Sequence, residues 1–71
     1  MTITYRPELR QGQKDLLRVV LIDGHERAVV SRRHRMGHWN VLSLPEADGR
    51  QAIIAVAIPT RNLYSIIRQN F

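Results

Sequence analysis

The sequence predicts an α+β domain, a small antiparallel β-meander of four or five strands with one C-terminal helix. Three observations predict it. Asp23-Gly24 and Asp48-Gly49 mark two tight hairpins, the segments beside them carry apolar residues at alternate positions, and the residues after Pro59 switch to a helical period. The 71 residues make one domain, 1–71, because half that length could not close a core of its own, and two-domain enzymes are thereby excluded. A chain this short buries about 60% of the surface its unfolded form exposes, so its stability is a few kcal/mol at most. With 44% hydrophobic and 24% charged residues the composition is that of a globular domain and not of a disordered chain.

From the N-terminus, Thr2-Ile3-Thr4-Tyr5 alternates like a short edge strand, whereas Arg10 to Lys14 is polar with Gly12 inside it; residues 1–13 are expected to form a mobile arm. Residues 14–22 read as strand from Val19, Val20 and Ile22, although Leu16, Leu17, Val20 and Leu21 also fit a helical stripe opened by Pro7. Asp-Gly supplies the positive φ angles of a two-residue type I′ turn. At Asp23-Gly24 that turn sets Leu21 opposite Glu26, Val19 opposite Ala28 and Leu17 opposite Val30, with Arg18 and Arg27 turned away. At Asp48-Gly49 it sets Ala47 opposite Arg50, Trp39 opposite Ile58, Val41 opposite Val56 and Ser43 opposite Ile54. This second face is the expected core, with Trp39 as its anchor. The reverse face carries Asn40, Leu42 and Leu44 against Ala57, Ala55 and Ile53. So apolar a surface should not stay in water, which predicts a partner or a homodimer through Leu42, Leu44 and Ile53. Beyond Pro59, Thr60 stands at an N-cap position, and Leu63, Ile66, Ile67 and Phe71 share one helical face with Tyr64 off it.

The absence of cysteine removes disulfides, thiolate nucleophiles and cysteine-based metal sites, and a reducing cytoplasm is the expected location. The longest apolar run, 52–58, falls far short of the roughly 20 residues a membrane helix needs, and the chain opens with no charged-then-apolar signal segment. A soluble protein with no membrane partner is expected. Its formal net charge is +5, and Lys14 is the one lysine among eleven cations. Residues 1–26 are neutral in sum, and the excess begins at Arg27. From there to Pro45 no acid occurs, while Arg27, Arg32, Arg33 and Arg35 follow one another with His34 and His38 interleaved. Guanidinium groups suit bidentate phosphate contacts. Arg27, Arg32, Arg33, His34, Arg35 and Arg50 are therefore the candidate contacts to nucleic acid or to an acidic protein surface, the plain alternative being a solvated connection.

Catalytic constellations are sparse. Asp23 and Asp48 are explained by their turns, and no glycine-rich phosphate loop occurs. His34 and His38 have the i, i+4 spacing of metal ligands, but Met36-Gly37 between them reads as a turn and no third ligand is near, so neither metal nor cofactor is expected. His38 is the one candidate general acid or base. An imidazole beside arginines can exchange a proton with a ribose hydroxyl while the cations stabilise the phosphorane, as in a metal-independent ribonuclease. Its plain reading is a histidine at the start of a strand.

Met36-Gly37-His38, a strand, Pro45, the Asp48-Gly49-Arg50 turn, the strand from Ile53 to Pro59 and Leu63-Tyr64-Ser65-Ile66-Ile67-Arg68-Gln69 together resemble the C-terminal half of HicA-type toxins. The resemblance implies an α-β-β-β-α fold like that of double-stranded RNA-binding domains, mRNA cleavage within a toxin–antitoxin pair, and the catalytic role for His38. The family opens with a helix where this chain carries Asp23-Gly24.

Three functions follow. The first is a small basic regulator of phage or plasmid type that binds nucleic acid, or machinery such as bacterial RNA polymerase, and modulates transcription or inhibits without turnover. The alternative is a HicA-like ribonuclease using His38, with Arg33, Arg35 and Arg50 on the phosphate. A structural subunit whose charge is incidental is a third.

Overall fold

A computed structural model describes residues 1–8, 15–33 and 37–71, with Asp15 and Arg33 described by backbone alone. Five strands, β1 (Ile3–Glu8), β2 (Asp15–Ile22), β3 (His25–Arg33), β4 (His38–Ser43) and β5 (Ile53–Pro59), precede helix α1 (Thr60–Asn70). The strands lie side by side in chain order, each antiparallel to the next. The α+β meander with its C-terminal helix is thus present with five strands. The α-β-β-β-α order is not, because β1 and β2 occupy the place of its opening helix.

The N-terminal segment is tied down where an arm was expected. Thr2 N–H donates to Asp23 Oδ1 and Asp23 N–H donates to the Thr2 carbonyl, both at 2.8 Å, so the β2–β3 turn grips the start of β1. Ile3 to Glu8 then pair with Ile22 to Leu17. Residues 9–13 of the expected arm lie outside the described residues.

The first hairpin turns at Asp23 (φ 51°) and Gly24 (φ 83°), which is the double positive φ of type I′. Leu21 pairs with Glu26 as the turn dictates, but Val20 then pairs with Ala28, leaving Arg27 as an extra residue on β3. This bulge shifts every later pair by one and reverses the faces. Val20 and Ile22, not Leu17, Val19 and Leu21, face the helix with Ala28 and Val30. Arg18, two residues before Val20, is turned inward with them instead of away.

The second hairpin departs from its expected turn. Gly49 N–H donates to the Glu46 carbonyl (2.8 Å) and Glu46 N–H to the Arg50 carbonyl (2.9 Å), with Gly49 alone at positive φ (84°) among residues 46–50. Ala47 and Asp48 are the central turn residues, followed by a glycine bulge, and Glu46 rather than Ala47 faces Arg50. Two irregularities in β5 restore the expected register by the far end, where Trp39 does pair with Ile58. Between them Val41 faces Ala55 rather than Val56, and Ser43 bonds Ala52 rather than facing Ile54. Val56 stays exposed. Ala57 at the bulge has φ 55°, and its N–H is taken up by Asn40 Oδ1 at 3.2 Å.

Helix α1 lies over one sheet face. Leu63 and Ile67 are buried against Val20, Ile22, Ala28, Val30, Trp39 and Val41, with Ile66 and Phe71 packed beside them. Thr60 is the first helical residue rather than the cap: no side chain caps the helix, and the Thr60 hydroxyl is used elsewhere. No helix among the described residues is long and apolar enough to cross a membrane. On the opposite face Val19 and Val29 are buried by their neighbours, whereas Ile53 is 70% exposed beside Leu42.

Ile67→Ala removes a fully buried side chain from the helix–sheet seam and should cost about 2–5 kcal/mol. In urea titration the Ile67→Ala protein should be largely unfolded without denaturant, and Gln69→Ala on the exposed helix face should match the parent within about 0.5 kcal/mol; equal midpoints would show that the seam does not carry the fold.

Candidate anion-binding interface

Charge compensation is uneven over the sheet, and Arg27, near the β2–β3 turn, has no carboxylate partner among the described residues. At the end holding both hairpin turns, Arg6 is paired with Glu26 and Arg50 with Asp48 (Nε to Oδ2, 3.2 Å). At the other end β3 finishes, β4 begins and β5 runs into α1. There Arg18, Arg32 and Arg61 have no carboxylate partner among the described residues. Glu8 reaches the same end of the sheet, but on β1 it alternates with Tyr5 and so belongs to the face away from the helix.

Trp39 organises this end. Its indole is 2% exposed, and its Nε1–H donates to Thr60 Oγ1 at 3.0 Å. The Arg32 guanidinium lies over the ring at 4.7 Å from the centroid and that of Arg18 at 5.4 Å, both within cation–π range. Arg32 is half-buried with its Nε unbonded, and the π cloud is its main compensation. Arg18 is exposed. Tyr5, Arg18, Trp39, Thr60, Leu63 and Tyr64 line a cleft of about 230 Å³ between the first turn of α1 and strands β1, β2 and β4. Burial raises the Tyr5 hydroxyl above the ordinary phenol value, Tyr64 adds to the rise, and the charge of Arg18 opposes it. These three polar groups therefore share one electrostatic neighbourhood.

The residues singled out from the sequence are dispersed. Arg32 is at the cleft end, and Arg33 ends β3 opposite Asp15 in register. His34 and Arg35 lie outside the described residues. Arg27, the bulge residue, and Arg50, in the β4–β5 turn, sit at the opposite end, so they do not join Arg32 in one patch. His38 is exposed at the start of β4, pairs with Pro59, and makes no side-chain hydrogen bond to another described residue. Among the described residues no group of three or more histidine or acidic side chains is arranged to hold a metal.

Arg18, Arg61, Tyr5 and Tyr64 were not indicated by the sequence as site residues. Arg18 was legible in principle, since placing one bulge residue at Arg27 puts it on the face of Val20 and Trp39. Tyr5 needed the pairing of β1, which nothing local announces. No family model, no curated protein and no solved structure matches this chain.

Tyr5 and Tyr64 are the two tyrosines of the chain, so Tyr64→Phe leaves Tyr5 as the sole phenol. Because folding raises the Tyr5 pKa, the stability attached to its proton is intact below the unfolded value near 10 and is lost as pH climbs through the folded value. Phenolate absorbance of Tyr64→Phe should titrate at higher pH folded than in denaturant, since burial, the larger cause, is retained. Coincident curves would refute the buried position of Tyr5.

Proposed function

We propose that the protein is a small basic regulatory module that binds nucleic acid through the end of the sheet carrying Arg18, Arg32 and Arg61, and that it acts by occupancy and not by turnover. The observation that carries this reading is the gathering of Arg18 and Arg32 on the Trp39 ring, 5.4 and 4.7 Å from its centroid, with Arg61 in the adjoining first turn of α1 and no carboxylate partner for any of the three among the described residues. Positive charge without internal carboxylate partners attracts phosphate at long range and releases counterions on contact. His38 has no described group positioned to polarise it, so the ribonuclease reading draws no support beyond its exposure. His38→Ala should leave nucleic-acid binding intact, and its loss of an RNA-cleaving activity would favour that other reading.

A second copy on the outer sheet face belongs to the same proposal. Leu42 and exposed Ile53 pair across β4 and β5, with Leu44 just beyond. Sedimentation of Ile53→Glu beside the parent should show a dimer in the parent only; a monomeric parent at high concentration disposes of the pairing.

Salt dependence tests the main reading. Each arginine that contacts a single-stranded phosphate contributes about 0.7 to the magnitude of the log–log slope of affinity against salt. Arg61→Gln should lower the slope by that amount, whereas Arg50→Gln, already neutralised by Asp48, should not change it. A flat response in the parent would reject nucleic acid and point to an acidic protein surface, RNA polymerase included.

A further inference from the structure

Two phenols and one guanidinium, those of Tyr5, Tyr64 and Arg18, surround a cleft whose other walls are Leu63, the indole of Trp39 and Thr60, whose Oγ1 already accepts from that indole. Neither a bare anion nor a bare apolar group suits such a cleft. A phosphate alone would bond Arg18 and the hydroxyls but leave the apolar walls wetted. An apolar group alone would use the walls and leave the guanidinium without an anion. One nucleotide satisfies both requirements, because its phosphate and its flat base are joined at a fixed short distance. In a duplex the base face is stacked and unavailable, whereas in a single strand it is free to leave its neighbours. Tyr64 is 46% exposed, so its ring is open to such a base.

We propose that this cleft anchors one unpaired nucleotide of a single-stranded nucleic acid, the phosphate on the Arg18 guanidinium and the tyrosine hydroxyls and the base against the Tyr64 ring and Leu63. This deepens the nucleic-acid reading above and rests on it. Arg18 leans over Trp39 at 5.4 Å, and turning toward a phosphate moves a positive charge relative to the ring. Trp39 is the single tryptophan of the chain, so its fluorescence reports occupancy of the cleft directly.

The test titrates the intact protein with a mixed-sequence single-stranded oligonucleotide, the matching duplex, an abasic oligonucleotide of equal length, inorganic phosphate and an acidic peptide containing phenylalanine. The single strand should change Trp39 emission and bind about tenfold more tightly than the abasic strand, as one base–aromatic stack implies. The duplex should bind without the emission change, and phosphate at the same concentration should be silent. Tyr64→Ala should erase the preference for the base-bearing strand, and Tyr64→Phe, which keeps the ring, should retain it; circular dichroism confirms that both fold. Equal binding of abasic and normal strands, with Trp39 silent and Tyr64→Ala like the parent, overturns the pocket and leaves the nucleic-acid reading standing. Saturation by phosphate alone, or by the peptide where nucleotides fail, overturns it in favour of a simple anion or a protein ligand. Absence of binding to any strand at low salt removes the nucleic-acid reading itself, and the pocket with it.

Discussion

The indole of Trp39 is the contact on which the arrangement depends. It fills the space between β4 and the start of α1, bonds the helix through Thr60, pairs with Ile58 across the sheet and supports two guanidinium groups on its ring. Truncating a core tryptophan costs about 3–5 kcal/mol, which is about what a domain of this length possesses in total. The same residue therefore fixes the helix and presents the cations. A chain with so thin a core has no second apolar layer to fall back on, so the site cannot be separated energetically from the fold.

Much of the architecture was legible because its signals are local. Asp-Gly at 23–24 supplied both positive φ angles of its turn, and the helical period of Leu63, Ile66, Ile67 and Phe71 needed no tertiary context. The parity of β2 was not legible. Turn chemistry fixes the first two pairs of a hairpin, and whatever follows depends on whether a bulge intervenes. Arg27 is an ordinary exposed arginine with nothing to mark it as the extra residue, yet its insertion moved Val20 and Ile22 into the core and carried Arg18 with them. At the other turn a glycine at the third loop position replaced the expected two-residue geometry, and irregularities in β5 repaired the register before Trp39. The N-terminal strand was read as an arm because its attachment to Asp23 is a contact between residues far apart in sequence.

The meander also decides which of the candidate site residues share an end. A run of arginines in sequence reads as a patch, but in a meander consecutive strands reverse direction, so Arg27 and Arg32 near the two ends of β3 point to opposite ends of the molecule. Arg50 returns to the end of Arg27 because β4 runs antiparallel to β3, and Asp48 neutralises it there. The sheet brings Arg18 and Arg32 together across one strand reversal, and Arg61 joins them where β5 runs into α1.

Net charge alone would place the interface anywhere on so basic a surface. What distinguishes the cleft end is that two guanidinium groups share one indole ring and one of them is half-buried. Position 32 is half-buried and opposite an aromatic ring, where an apolar side chain would pack without leaving a buried Nε unbonded. The cation–π contact offsets part of that desolvation, about 0.5–2 kcal/mol by comparison with other sites, and an unmet buried donor costs about 1–3 kcal/mol. The balance is unfavourable or at best neutral. Arg18 lies on the same side of β2, between Pro7 and Val30, and is exposed, so it carries no such desolvation cost. Carrying two guanidinium groups on one indole therefore adds little to the stability of a domain that has little to spare.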